Sequence, residues 1–247
     1  MSAVETLIVD EATDRLVVTL NRPDKRNAID QRMVDELHAV CERLERDPRI
    51  LILTGSDGVF ASGADIAELR DRTAIDARRS INATIFSRIA ALPMPVIAAV
   101  DGYALGGGAE LAYAADFRVG TPRLRIGNPE TGLGIIAAAG ALWRLPQLVG
   151  EPLAKEMVLA GRILTGEEAL AARLVGDLFE PSELLAGAHA LADRIAANDP
   201  LATRFTKAVL AAPPARHPRA EREAQAVLFE SPEKHRRMTA FLERRRR

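Results

Sequence analysis

The run Asp101-Gly-Tyr-Ala-Leu-Gly-Gly-Gly-Ala-Glu110 places a carboxylate directly behind three glycines in an otherwise apolar stretch. Consecutive glycines let a backbone approach a ligand closely. A charge in apolar surroundings is costly unless it is paired, shares a proton or does chemistry. A second glycine turn, Phe60-Ala-Ser-Gly-Ala-Asp65, follows another apolar run. Backbone N–H groups at a helix start lack partners within the helix and favour negative charge. Two such donors converging on one oxygen would form an oxyanion hole, although by spacing alone each turn is also readable as nothing more than a turn.

Both turns need strands to deliver them and helices to receive them. Leu16 to Leu20 and Ile50 to Thr54 are β-rich, and each ends at turn residues, Asn21-Arg-Pro23 and Gly55-Ser-Asp-Gly58. Between them Asp30 can cap a helix to about Arg46, with Met33, Val34, Leu37, Val40, Cys41 and Leu44 at helical spacing. Gly63-Ala64-Asp65 opens a helical stretch to about Ala91. A strand then runs from Pro95 to Val100, a helix from Gly106 to Ala115 and a short strand from Phe117 to Gly120. Strands alternating with helices predict an α/β fold, with Glu110 pointing into its interior.

From Gly150 onward, Leu174 to Phe179 is the main strand signal. Helices are expected over 152–160, 167–172, 182–197, 200–210, 219–229 and 232–245. Short helices of this kind are marginal alone, so a partner subunit would give them something to pack on. The run Arg244-Arg-Arg-Arg247 reads as solvated charge at a helix C-terminus or as a contact for a phosphorylated ligand.

The 247 residues carry 33 basic and 34 acidic side chains, a formal net charge of −1, so no bulk field draws nucleic acid or anionic membrane. One cysteine, Cys41, excludes an internal disulfide and a Cys-rich metal cluster, and a reducing compartment is the simplest implication. Without a basic, apolar leader or a run of the ~20 apolar residues a span requires, the expected location is cytoplasmic. The histidines His38, His189, His217 and His235 have no ligand spacing, so no metal site is expected.

Phe60-Ala-Ser-Gly-Ala-Asp-Ile66, Pro95 to Leu111, Asp116 and Asn128-Pro-Glu130 resemble, in order and spacing, the crotonase (enoyl-CoA hydratase/isomerase) superfamily. The likeness begins at Leu20-Asn-Arg-Pro-Asp-Lys-Arg-Asn-Ala28 and includes Leu148-Val-Gly150, Ala154, Met157, Gly161 and Glu168-Ala169. The resemblance implies a crotonase-type α/β spiral of repeated ββα units over residues 1–190. It also implies a helical C-terminal region, 191–247, that builds a homotrimer or a dimer of trimers. The substrate is then an acyl-CoA thioester, and coenzyme A enters as part of it, with no further cofactor.

Matching the motifs position by position assigns the oxyanion donors to the backbone of Ala64 and Gly107, and the catalytic carboxylates to Glu110 and Glu130. Lys25, Arg26, Ala28, Ala61, Asp65, Ile66, Ala67 and Gly106, together with Ala64 and Gly107, are assigned to substrate and coenzyme A. Asp65 and Asp116 are also suited to capping helices or bracing turns, and Trp143 to packing at a helix end. The family's Pro-Gly pair after the second glutamate is replaced by Ala137 and Ala138, whose methyl groups would narrow the pocket or reshape the helix start. The implied reaction is hydration of a 2-trans-enoyl-CoA. The alternatives are a double-bond shift on the same scaffold and, in a different class, a non-catalytic acyl-CoA or RNA binding protein.

Overall fold

The computed structural model describes residues 6–244. Arg245, Arg246 and Arg247, most of the basic run, lie outside the described residues. The strands are β1 (Leu7–Glu11), β2 (Arg15–Leu20), β3 (Ile50–Gly55), β4 (Val96–Val100), β5 (Tyr103–Leu105), β6 (Phe117–Gly120), β7 (Arg125–Gly127) and β8 (Ile163–Thr165). A five-stranded sheet has the order β1-β2-β3-β4-β6, parallel except for β1 against β2. A three-stranded sheet has the order β5-β7-β8, with β5 and β7 parallel and β8 antiparallel. All five residues of β4 are buried, which is why the strand reads as an unbroken apolar run.

The helices are α1 (Gln31–Arg46), α2 (Ile66–Asp71), α3 (Ala74–Arg79), α4 (Ile81–Ala90), α5 (Gly107–Ala114), α6 (Ala141–Val149), α7 (Glu151–Leu159), α8 (Gly166–Ala171), α9 (Leu184–Ala196), α10 (Pro200–Leu210), α11 (Arg219–Phe229) and α12 (Pro232–Arg244). After strands β2, β3 and β4 of the large sheet the chain makes a second extended segment before turning into helix. These second segments stack on one another: Ile29 bridges Ala64, Ala61 bridges Ala104 in β5, and Ala104 pairs with Ile126 in β7. The result is the ββα spiral, in which each turn contributes to both layers.

Helix α1 shows why the elements form where they do. The Asp30 carboxylate accepts from the Met33 N–H at 2.9 Å and caps the helix. Its six apolar positions, Met33, Val34, Leu37, Val40, Cys41 and Leu44, are all buried. Each such side chain stabilises the fold by about 1.5–3 kcal/mol, and burial pushes the Cys41 thiol up to about 12.

The structure departs from the sequence reading in three places. The helix expected from 63 to 91 is three helices, because the backbone is extended at Arg72 and left-handed at Ser80, φ 51°. Residues 174–179 form no strand; Leu178 makes a single bridge to Gly120. Strands β5, β7 and β8, three residues each, were not anticipated, since runs that short carry no period.

The described chain separates into two compact units, up to Ala192 and from Asp193 on. In the second unit α10, α11 and α12 contain no buried residue. Leu210, Val227, Phe229, Met238, Phe241 and Leu242 are all at least half exposed. No described helix is long and apolar enough to cross a membrane.

Candidate active site

The segment 60–65 is held from both sides, and this fixes where its free N–H points. On one side Ser62 N donates to Arg26 O, Ile29 N to Gly63 O and Asp65 N to Ile29 O, at 2.8–3.0 Å. On the other, Ala61 N donates to Tyr103 O at 3.0 Å and Leu105 N to Ala61 O at 3.1 Å. Because residues 63 and 65 supply the bonds to Ile29, strand alternation turns the Ala64 N–H away from it. The neighbour there is the start of α5: a Cβ on Gly107 would lie 3.3 Å from Ala64 N.

The three glycines have separate reasons. Gly106 has φ 51°, where an L side chain is strained, and a Cβ there would press on Glu130 Oε1 at 3.3 Å. Gly107 leaves open the gap beside Ala64 N. Gly108 packs so closely that a Cβ would fall 2.2 Å from Ala61 O.

Glu110 sits on the first turn of α5, whose residues are all buried. Its Oε1 accepts from Ala139 N at 2.7 Å and Ala141 N at 3.1 Å, so the backbone leading into α6 fixes one carboxylate oxygen. Burial pushes this carboxyl up to about 7, against those two donors and with added pressure from Glu130. Glu130 begins a 3-10 turn, Glu130–Leu133. Burial raises its carboxyl above the usual range, although its own backbone amide and Asn128 pull the other way. Asn128 Nδ2 donates to Glu130 Oε1 at 3.2 Å, while Glu130 Oε2 is buried without a hydrogen-bond partner.

Ala64, Gly106, Gly107, Glu110 and Glu130 line one cavity of about 600 Å³, and Ile66 lines it too. One wall is apolar, made by Leu133, Ile135, Ile136, Ala138 and Ala139; the other comes from α2 to α4.

The remaining assigned residues do not line the cavity. Lys25 and Arg26 are exposed on the turn that holds Ser62, which puts them beside the wall. Ala61 is buried against Ala104 of the small sheet; Ala28 lies between Arg26 and Ile29, and Ala67 at the start of α2. Asp65 caps α2 through Ala67 N at 3.1 Å and pairs with Arg22 at 3.2 Å. Burial would raise its carboxyl, but the Ala67 N–H and Arg22 outweigh it and hold it below the usual range. Asp116 accepts from Val96 N at 2.7 Å.

Ala138 lines the cavity, whereas the Ala137 methyl is in the core. Trp143 is neither a packing residue nor a cavity residue. It is 52% exposed on the first turn of α6, with the Arg144 guanidinium 3.9 Å from its ring centre.

The sequence reading assigned no role to three polar residues. Asn27, fully buried, donates to Ser56 O at 3.0 Å and Val59 O at 2.6 Å, tying the first turn to the second. Arg22 reaches Ala28 O, Asp30 and Asp65 together. Asn128 steers Glu130, and its only signal was an amide two positions before a carboxylate.

Comparison with known proteins identifies the family. The pattern of the family described as Enoyl-CoA hydratase/isomerase matches residues 13–247. The short-chain-enoyl-CoA hydratase of Clostridium acetobutylicum is 37% identical over 209 residues, covering 83% of this chain and 80% of that one. The crotonyl-CoA hydratase of Syntrophomonas wolfei is 38% identical over 211 residues, 83% of this chain and 81% of that one. The crystal structure of an enoyl-CoA hydratase from Bacillus anthracis superposes with a TM-score of 0.92 at 32% identity, covering 97% of this chain and 96% of the other. The fold is that of the crotonase superfamily. The chain belongs to its enoyl-CoA hydratase/isomerase family, and its similarity to the two hydratases supports enoyl-CoA hydratase activity.

Proposed function

We propose that the protein hydrates 2-trans-enoyl-CoA to 3-hydroxyacyl-CoA in the cavity between α5 and the 3-10 turn at Glu130. The thioester oxygen sits in the gap between the backbone N–H groups of Ala64 and Gly107. This oxygen gains negative charge as water adds, so fixed donors stabilise the transition state more than the bound substrate; each can supply about 3–4 kcal/mol. Glu110 holds the water and takes one of its protons as the oxygen bonds to the β-carbon. Glu130 delivers a proton to the α-carbon, and the sum is addition of one water. The backbone grip on Glu110 Oε1 leaves Oε2 for the water.

The observation that carries the reading is the pair of buried carboxyls, both raised, on one cavity beside the Ala64–Gly107 gap. Two neighbouring carboxyls whose ionised forms are both disfavoured can keep a proton ready near neutral pH. Lys25 and Arg26, exposed next to Ser62, are placed to meet the coenzyme's phosphates, with Ala28, Ala61, Asp65 and Ala67 shaping that turn. Residues 1–190 form the catalytic core. The apolar faces of α10 to α12 in 191–247 pack in a homotrimer or dimer of trimers, a cytoplasmic enzyme needing only the acyl-CoA.

The test is turnover of crotonyl-CoA, followed by loss of the conjugated thioester absorbance. Glu110→Gln and Glu130→Gln should each lower kcat by roughly 10²–10⁴-fold with acyl-CoA binding largely retained. Near wild-type turnover in either variant would remove the two-carboxylate mechanism. Faster turnover of a 3-enoyl-CoA than of crotonyl-CoA would make the double-bond shift the main activity.

A further inference from the structure

The gap between Ala64 and Gly107 has a third side. A Cβ on Gly107 would lie 3.3 Å from Ala64 N and 3.5 Å from Asn82 Nδ2, so a backbone nitrogen and an amide nitrogen border the same space at the start of α5. Asn82 stands on the first turn of α4 and lines the cavity with Ala64, Gly107 and Glu110. Helix α4 buries Ile85, Phe86 and Ile89, which anchors that turn in the core, whereas α2 and α3 on the same wall bury nothing. No bracing role accounts for the amide. Asn27 and Asn128 each donate from Nδ2 to backbone carbonyls, of Ser56 and Val59 for the one and of Gly106 for the other. The Asn82 side chain makes no hydrogen bond among the described residues: Oδ1 is buried without a partner, and Nδ2 is the end at the gap.

We propose that Asn82 is a third donor to the thioester oxygen, its Nδ2 adding a side-chain hydrogen bond to those from the backbone of Ala64 and Gly107. The bond strengthens as that oxygen gains negative charge, because a donor fixed on an anchored helix turn needs no reorganisation at the moment of reaction. Its effect therefore falls more on turnover than on binding. The assignment rests on the acyl-CoA reading above, which supplies the oxygen that enters the gap.

The test compares wild type with Asn82→Leu, which keeps the side-chain size and removes the donor, and with Asn82→Ala, which only removes atoms and decides the matter if the leucine variant folds poorly. With crotonyl-CoA, kcat should fall about 10²-fold, while KM and the Kd of butyryl-CoA change no more than a few-fold. The bond itself is read from the carbonyl stretch of bound butyryl-CoA in isotope-edited infrared difference spectra. That stretch should move to higher frequency in both variants, since one donor fewer polarises the carbonyl. A merely structural asparagine would lower Tm and turnover together and leave the stretch where it is in wild type. An unchanged stretch in both variants, or wild-type kcat in either, overturns the proposal. So does failure of wild type to bind butyryl-CoA. A stretch that depends on position 82 in a protein that does not hydrate crotonyl-CoA would remove the hydratase mechanism and leave the donor role of Asn82 standing.

Discussion

The two sides of the cavity are built on opposite principles. Helix α5 has every residue buried, is packed at Gly108 against the Ala61 carbonyl and holds Glu110 through two backbone donors from the α6 side. Helices α2 and α3 across the cavity have six residues each and bury none, with Ile66 59% and Ile75 64% exposed. Groups that react must be held to a fraction of an ångström, and buried backbone does that best. Groups that receive a variable chain gain from short elements whose side chains can adjust, and low local stability comes with few buried contacts. The carboxylate and the glycines sit on the rigid wall, while the stretch of α2 and α3 is where substrate choice can change without disturbing them.

The largest break in that contrast should come from Gly108→Ala. The added methyl collides with backbone on the rigid wall, so the loss should exceed about 3 kcal/mol and lower the Tm by roughly 6–12 °C. A Tm within a degree or two of wild type would mean that α5 is not the rigid element.

A smaller effect concerns the charge on that wall. The Glu110 carboxyl is raised in the folded protein from 4.5 to about 7. Its contribution to stability is therefore fully present below about pH 4.5 and is lost as pH rises through about 7. Glu110→Gln, which keeps an acceptor for the two N–H groups but cannot ionise, should match wild type at low pH. Above about pH 8 it should exceed wild type by on the order of 3 kcal/mol, measured as denaturant midpoints across pH. A gap that stays constant with pH would show that burial does not penalise this charge.

The smallest effect belongs to the other wall. Ile66→Ala should change KM for crotonyl-CoA a few-fold, leave kcat nearly unaltered and shift the Tm by little, since surface changes usually stay within about 0.5 kcal/mol. A kcat loss comparable to that of a carboxylate variant would erase the distinction between the walls.

Much of this was legible in the chain. The apolar stripe of α1, the runs at β2, β3 and β4, and the helices at 200–210 and 219–229 are readable from periodicity and end signals, because they are long enough to show a period. Glu110 announced itself as one charge in an apolar run. The breaks at Arg72 and Ser80 carried weaker marks, the capping pair Thr73 and Asp76 and the N-cap residue Ser80, which an apolar pattern read as one helix overrides. The left-handed turn at Ser80 redirects the chain into α4, whose Ile85, Phe86 and Ile89 are buried in the core, and that direction is a matter of packing. Three-residue strands carry no signal at all, yet the layer they belong to is what aims the Ala64 N–H.

Local patterning and motif spacing are written residue by residue, so the chain alone specifies the spiral's main strands and helices and the carboxylates and glycines they carry. Packing settles the rest: Ala64 N and the first turn of α5 share one gap, Asn128 steers Glu130, and the backbone at 139 and 141 pins Glu110. Apart from the Asn128–Glu130 bond, these are contacts between segments far apart in the chain. Their geometry depends on strand register and helix packing, which no local pattern records.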